Sequence, residues 1–296
     1  LIPHSANTSA LLLLVGFLAA FGLAALTKGR KEDLLPEETP IYLMEMANQK
    51  RVERELEIAH EVQQSFLPRQ MPNIPGLVIA AICNAAQETG GDYYEVLQLD
   101  DTRLGIAIGD VSGKGIQAAF YMTLVKGMLQ TLMMETDKPA EVLARLNRHF
   151  RRNVRPGIFV SVVYGILDLK HRTFTFARAG HNPTLLKRSN SQIAERLRPN
   201  GMAIGMADGT KFDALIETAT IELFAGDTIV LYTDGFSEAA NEQGAVFGDR
   251  HLAALVGQYG QLLPENLIQR LQEEVQGFVG KAGQRDDMTM LVLKLT

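Results

Sequence analysis

The spacing of apolar residues changes character along this chain. From Ala10 to Leu26 (ALLLLVGFLAAFGLAAL) 17 residues pass without a charge or a strongly polar group. Wound as a helix, that run is about 25 Å long, near the lower limit for crossing a hydrocarbon core of about 30 Å. Lys28, Arg30 and Lys31 follow at once, and by the positive-inside tendency they place the remainder of the chain in the cytoplasm. The pattern predicts a membrane anchor over residues 1–31, with a single pass through the cell membrane. A cleaved signal segment or a buried core helix is the alternative.

Residues 32–68 read as a juxtamembrane linker followed by a helix. Asp33 to Pro40 is acidic and proline-bearing, and Ile41 to Leu67 is rich in Glu, Arg and Gln. Its apolar stripe, Val52, Leu56, Ala59, Val62 and Phe66, has spacings of 4, 3, 3 and 4, which make two heptads. A secure coiled coil needs about three or four. The stripe fits either a short parallel seam, making the protein a homodimer through 41–67, or a helix lying on the domain that follows it. Pro68, Pro72 and Pro75 break the helix and open a domain over 69–296.

From Leu77 the period shortens towards two. Leu77–Cys83, Arg103–Ile108, Phe159–Leu169, Thr173–Arg178, Asp227–Tyr232 and Met288–Leu295 are short and rich in Val, Ile, Leu, Phe and Tyr, which predicts strands. Ile116–Glu135, Pro139–Asn153, Asp249–Tyr259 and Pro264–Val279 read as helices. Strands in pairs with helices between them, rather than strict alternation, predict an α+β fold of antiparallel sheets flanked by helices.

Composition narrows the chemistry. The 296 residues carry a net charge of −5, so the balance lacks the basic excess of a nucleic-acid footprint. Cys83 is the single cysteine, which excludes an intramolecular disulfide and a thiolate zinc site. A cysteine-based phosphatase needs Arg six positions after the nucleophile, and Thr89 stands there.

What remains is carboxylate. Gly91-Asp92-Tyr93-Tyr94, Gly109-Asp110-Val111-Ser112-Gly113-Lys114-Gly115, Thr233-Asp234-Gly235 and Arg285-Asp286-Asp287-Met288-Thr289 are acidic turns, most of them at strand edges. One Gly-Asp pair is an ordinary turn. Gathered together, such acids repel one another and raise their own pKa values unless cations are present. Oxygen-only ligands suit Mg²⁺ or Mn²⁺. Two such ions about 3.5–4 Å apart, bridged by Asp110, would turn a shared water into the nucleophile for in-line attack on phosphorus. If the turns converge, the chain is a two-metal hydrolase. The GDVSGKG stretch is one residue short of a Walker A loop and has Gly115 where a hydroxyl residue belongs, which removes a P-loop reading.

These motifs, in this order and together with Ala179-Gly180-His181-Asn182-Pro183, resemble the bacterial branch of the metal-dependent protein phosphatases. That branch comprises sporulation-protein-E and RsbU-like serine phosphatases, relatives of protein phosphatase 2C. The resemblance covers about Glu55 to Thr296. It implies a four-layer αββα sandwich with two divalent cations at one end of the sheets. It also implies hydrolysis of phosphoserine or phosphothreonine on a protein, with a phosphorylated anti-sigma-factor antagonist of the STAS type as the expected partner. Carried over by position, Asp92, Asp110, the Val111 carbonyl, Asp234 and Asp286 are metal ligands, with Asp110 and Asp234 central to catalysis. Asp287, where relatives often carry Asn, and Glu95, where they commonly carry Asp, become outer carboxylates acting behind the ligands. Ser112 stands where eukaryotic relatives have a candidate general-acid histidine, so the proton donor is unassigned. His181 is either a substitute donor or part of a capped turn leading into Thr184–Lys187, and Lys114 either meets phosphate or is a solvated loop lysine. Two rival readings are a catalytically silent phosphatase-like module that binds a partner at the membrane, and a nucleotide cyclase, which lacks a nucleotide-binding loop here.

Overall fold

The computed structural model describes residues 38–68 and 70–296. The predicted anchor, 1–31, lies outside the described residues, and among those described no helix is long and apolar enough to cross a membrane. Helix α1 (Glu38–Phe66) is continuous. A compact unit begins inside it, at Leu56, and runs to Thr296, earlier than the start at 69 that the prolines suggest. The predicted stripe follows that boundary only in part, since Val62 lies inside the unit yet is exposed. Leu56, Ala59 and Phe66 are half-buried, while Val52 and Val62 are exposed.

Among the described residues ten strands form two antiparallel five-stranded sheets. They are β1 (Leu77–Asn84), β2 (Tyr93–Gln98), β3 (Arg103–Val111), β4 (Val160–Asp168), β5 (Thr173–Ala179), β6 (Thr184–Lys187), β7 (Ala194–Leu197), β8 (Thr218–Glu222), β9 (Thr228–Tyr232) and β10 (Met288–Leu295). One sheet has the order β1-β10-β9-β6-β7 and the other β2-β3-β4-β5-β8. Helices α2 (Gly115–Met133) and α3 (Pro139–Asn153) follow β3. Two short helices, α4 (Gly209–Leu215) and α5 (Asp234–Ser237), precede α6 (Asp249–Tyr259) and α7 (Pro264–Val279).

Alternation along the strands sorts the side chains into three cores. Tyr93, Val162 and Tyr164 face outward against Met122, Leu129 and Leu146 of α2 and α3. Val230, Tyr232 and Val292 face outward against Leu252 of α6 and Leu267 and Leu271 of α7. Between the sheets, Tyr94, Ile106, Ile108 and Phe176 meet Ile229, Leu231, Leu291 and Leu293. The sequence of layers is therefore helices, sheet, sheet, helices. Each fully buried Leu, Ile or Phe contributes about 1.5–3 kcal/mol, so the seam between the sheets is firmly held.

The same parity places the acids. Asp110 continues the series Ile106, Ile108, and Asp92 precedes Tyr94 and Val96 with the same phase, so both carboxylates enter the inter-sheet seam. Strand β3 runs to Val111 rather than stopping at Ile108, and Asp110 pairs with Ser161 of β4. Gly109 permits this extension, because a Cβ there would lie 2.9 Å from the Ser161 carbonyl oxygen.

Candidate active site

The four acidic turns meet at one end of the seam. Asp92 and Asp110 arrive from the β2–β3 side, while Asp234 follows β9 and Asp286 precedes β10 in the facing sheet. Thr233 joins the two sides. Its hydroxyl donates to Asp92 Oδ2 at 2.7 Å and accepts from the Thr289 amide at 3.0 Å. The turn before β10 packs under the one after β9, since a Cβ on Gly235 would fall 1.9 Å from the Asp287 carbonyl oxygen. A bulkier residue would push the two acids apart.

The electrostatics are those of an uncompensated site. Burial is the main cause that raises Asp110 to about 7, and repulsion from Asp234, Asp286 and Asp287 adds to it, while Lys114 works in the opposite sense. Burial, then Glu238 and Asp286, push Asp234 up to about 6. Asp92, 3% exposed, is raised well above the ordinary carboxylate range by burial and then by Asp110. Lys114 is the cation at hand, donating to the Arg285 carbonyl at 2.8 Å and to Asp286 Oδ2 at 3.1 Å.

The donors fit a hard divalent cation. They are all oxygen, and two of them crowd Gly91: a Cβ there would lie 2.6 Å from the Val111 carbonyl oxygen, 3.2 Å from Ala118 Cβ and 3.3 Å from Asp110 Oδ1, so the missing side chain keeps that carbonyl and carboxylate clear. Among the described residues no three His, Cys, Asp or Glu side chains already stand close enough to hold one ion by themselves. Mg²⁺ and Mn²⁺ suit such sparse protein ligation, because Mg²⁺ in particular keeps several of its own waters.

Comparison with known proteins settles the family. The profile of stage II sporulation protein E (SpoIIE) matches residues 100–296. The phosphoserine phosphatase RsbU of Bacillus subtilis (strain 168) is 31% identical over 255 residues, covering 83% of this chain and 71% of that protein. The chain belongs to the SpoIIE family of PP2C-type phosphatases. Protein IcfG of Synechocystis sp. is 26% identical over 81% of this chain, which spans 41% of that longer relative. In structure, the SiaA-PP2C domain of Pseudomonas aeruginosa superposes with a TM-score of 0.75 at 22% identity, covering 84% of this chain and 98% of the domain. That likeness shows the fold.

Within this SpoIIE-family site, the outer acids separate. Asp287 spends both oxygens on the loop before β2, Oδ1 accepting from the Ala86 amide at 2.8 Å and Oδ2 from the Gly91 amide at 2.7 Å. It acts as a strut for Asp92. Glu95 corrects the sequence reading. It lies on the opposite face of β2 from Asp92, because three residues along a strand reverses the side. Its Oε2 accepts from Tyr93, Lys126 and Gln130 at 3.0, 2.8 and 2.6 Å. Glu95 thus anchors α2 to the sheet and stands apart from Asp92, Asp110, Asp234 and Asp286.

The candidate proton donors each hold a structural contact. The Ser112 hydroxyl accepts from the Phe159 amide at 3.0 Å, pinning the end of β3 to β4. His181 is buried, with Nδ1 at 2.7 Å from Ser161 Oγ, and burial followed by the charge of Arg178 pushes its pKa down to about 3. Its imidazole is neutral near pH 7, and in that form its remaining N–H is too weak an acid to protonate a leaving seryl oxygen. The Cys83 thiol, pushed up to about 12 chiefly by burial, is inert as a nucleophile.

Thr233 and Glu238 carried no signal beyond their neighbourhood with Asp234. A cavity of about 370 Å³ opens beside them, walled by Gly235, Glu238, Gln276, Arg285 and Asp286 and floored by Val275 and Met288.

Proposed function

We propose that the chain hydrolyses phosphoserine or phosphothreonine on a regulatory protein, with Asp92, Asp110, the Val111 carbonyl, Asp234 and Asp286 holding two divalent cations, Mn²⁺ or Mg²⁺. The observation that carries the reading is the meeting of four carboxylates from both sheets at one end of a buried seam with so little positive charge opposite them. When bound, the cations supply Lewis acidity towards the phosphoryl oxygens and lower the pKa of water for attack on phosphorus. The chain's own part is positional. Asp110 stands between the two sheets' acids and serves both sites, Thr233 fixes the Asp92 carboxylate, and Asp287 fixes the backbone that carries it. Lys114, already turned to the acids, is placed to meet a phosphoryl oxygen once its partner is occupied. The cavity beside Asp286 receives the polypeptide next to the phosphoresidue.

The family resemblance supports a phosphorylated STAS-type anti-sigma-factor antagonist as substrate. The apolar run 10–26 supports a membrane anchor with the catalytic domain in the cytoplasm. The exposed Val52 and Val62 support a homodimer through 41–67. Hydrolysis of an aryl phosphate and of a phosphoserine protein, each dependent on Mn²⁺, is the test. Asp110→Asn and Asp234→Asn abolish both activities in this reading; either variant retaining full Mn²⁺-dependent turnover would overturn the assignment.

A further inference from the structure

One side chain of α1 reaches the loop that delivers Asp92. Gln63 is 7% exposed and belongs to the catalytic unit. Its Nε2 donates to the Gly90 carbonyl at 2.5 Å, and its Oε1 accepts from the Gly90 amide at 3.1 Å. A single carboxamide therefore reads both backbone groups of one residue and fixes the peptide planes on either side of it.

Gly90 is held from the other side as well. A Cβ there would stand 2.2 Å from Asp287 Oδ2, so the backbone is pinched between Gln63 and Asp287. The next peptide leads directly into the site. The Gly91 amide donates to Asp287, and the Gly91 carbonyl accepts from the Val111 amide at 3.3 Å. Asp92 follows. The backbone that leads to Asp92 is thus set by a glutamine that hydrogen-bonds to none of the acids.

Docking of the helix does not require an amide at this position. Leu56, Ala59 and Phe66 are half-buried beside it, and Leu67 packs against two of the cores. An apolar side chain of similar size would serve that purpose. A buried carboxamide costs desolvation unless it is paired, and here its pairing is spent wholly on Gly90.

We propose that Gln63 is a positioning residue of the metal centre, holding Asp92 and the Val111 carbonyl in place through the Gly90–Gly91 backbone. The proposal rests on the reading of Asp92 and Val111 as cation ligands. It makes the end of α1 a part of the active site, and it assigns the coupling to a single amide.

The test uses the whole chain stripped of metal, with Gln63→Met, close in volume, and Gln63→Ala. Mn²⁺ affinity is measured by calorimetry, and amide hydrogen exchange is followed over 84–92 and 288–295. Loss of an outer contact of this kind weakens metal binding by about 10–100-fold. Both variants are expected to raise the Mn²⁺ dissociation constant at least about tenfold and to speed exchange over 84–92 while leaving 288–295 unchanged. Full Mn²⁺ affinity in Gln63→Met with loss only in Gln63→Ala would show that the position merely fills space, which overturns the proposal. Unaltered exchange over 84–92 in both variants overturns it too. Failure of the unsubstituted chain to take up Mn²⁺ would instead sink the cation assignment, while the exchange data still report on the clamp.

Discussion

Asp110→Asn should stabilise the metal-free protein, and the gain should depend on pH. The reasoning is thermodynamic linkage. Asp110 is raised from 3.8 to about 7 in the folded chain, chiefly by burial and then by Asp234, Asp286 and Asp287. A group whose folded pKa lies above its unfolded value favours folding below the unfolded value, and that contribution is lost as pH rises through the folded one. Full ionisation therefore costs on the order of 4 kcal/mol. The carboxylate is partly open to solvent and its neighbours titrate with it, so about half of that, roughly 2 kcal/mol, is the working figure. In a domain of this size 1 kcal/mol moves Tm by about 2–4 °C. Thermal unfolding with excess chelator should show Asp110→Asn melting about 4–8 °C above the unsubstituted chain at pH 8 and level with it at pH 4. Saturating Mn²⁺ should reverse the order if Asp110 bridges two cations as proposed, because the substituted chain would then lack that ligand. Equal Tm differences at pH 4 and pH 8 without metal would refute the linkage argument.

Three further outcomes follow from the contacts. Asp287→Ala frees the Ala86 and Gly91 amides, and should cost about 1–3 kcal/mol of stability in a urea titration and weaken Mn²⁺ binding; unchanged affinity would deny its role as a strut. Lys126→Met leaves the Glu95 carboxylate, whose side chain is 5% exposed, without its ion partner and should destabilise by about 3–5 kcal/mol, whereas Lys126→Met with Glu95→Gln should recover most of that loss. A double-mutant cycle with no coupling would dismiss the anchor. Gln276→Trp, filling the cavity beside Asp286, should lower kcat/KM for a phosphoserine protein at least about tenfold, a loss of some 1.4 kcal/mol, while aryl phosphate turnover stays as it was. A matching fall for the small substrate would mean that the metal centre had moved and that the cavity had no separate role.

The elements legible in the sequence are those with a strong physical signature. Helices Pro139–Asn153, Asp249–Tyr259 and Pro264–Val279 have the bounds that their proline and acidic starts suggest. The central strands read as apolar runs because both their faces are buried. The stretches not read as strands are β6 and β7, four residues each and too short to show a period, and the edge strands β2 and β8. Missing β2 also misplaced Glu95. Only with Tyr93–Gln98 known to be extended does parity put Asp92 and Glu95 on opposite faces. Asp92, Asp110 and Asp234 were visible because glycine beside aspartate marks a turn, and Asp286 because an acidic pair stands directly before an apolar run. Gln63 and Thr233 were not, because an amide on a helix and a threonine at the end of a strand have ordinary local uses. Their roles come from contacts 27 and 141 residues away in sequence.

The placement of the acids also ties metal binding to the joining of the sheets. Along most of its length the seam is closed by Ile, Leu, Val and Phe, and burying them favours contact between the layers. At the active-site end the same seam receives Asp92 and Asp110 from one sheet and Asp234 and Asp286 from the other, whose repulsion opposes that contact. Cations bound by acids of both sheets would remove the opposition where it arises. Binding to the folded state alone then adds about 2.7 kcal/mol at a hundred times the dissociation constant. By reciprocity, whatever loosens the seam lowers metal affinity by the same factor. The glycines at 90, 91 and 235 mark the points where this end of the fold leaves no room for a side chain, with carboxylate or carbonyl oxygens 2.2, 2.6 and 1.9 Å from where a Cβ would sit. Tight backbone packing at those points keeps the charged end from opening, so the strain of gathered carboxylates is stored until a cation relieves it.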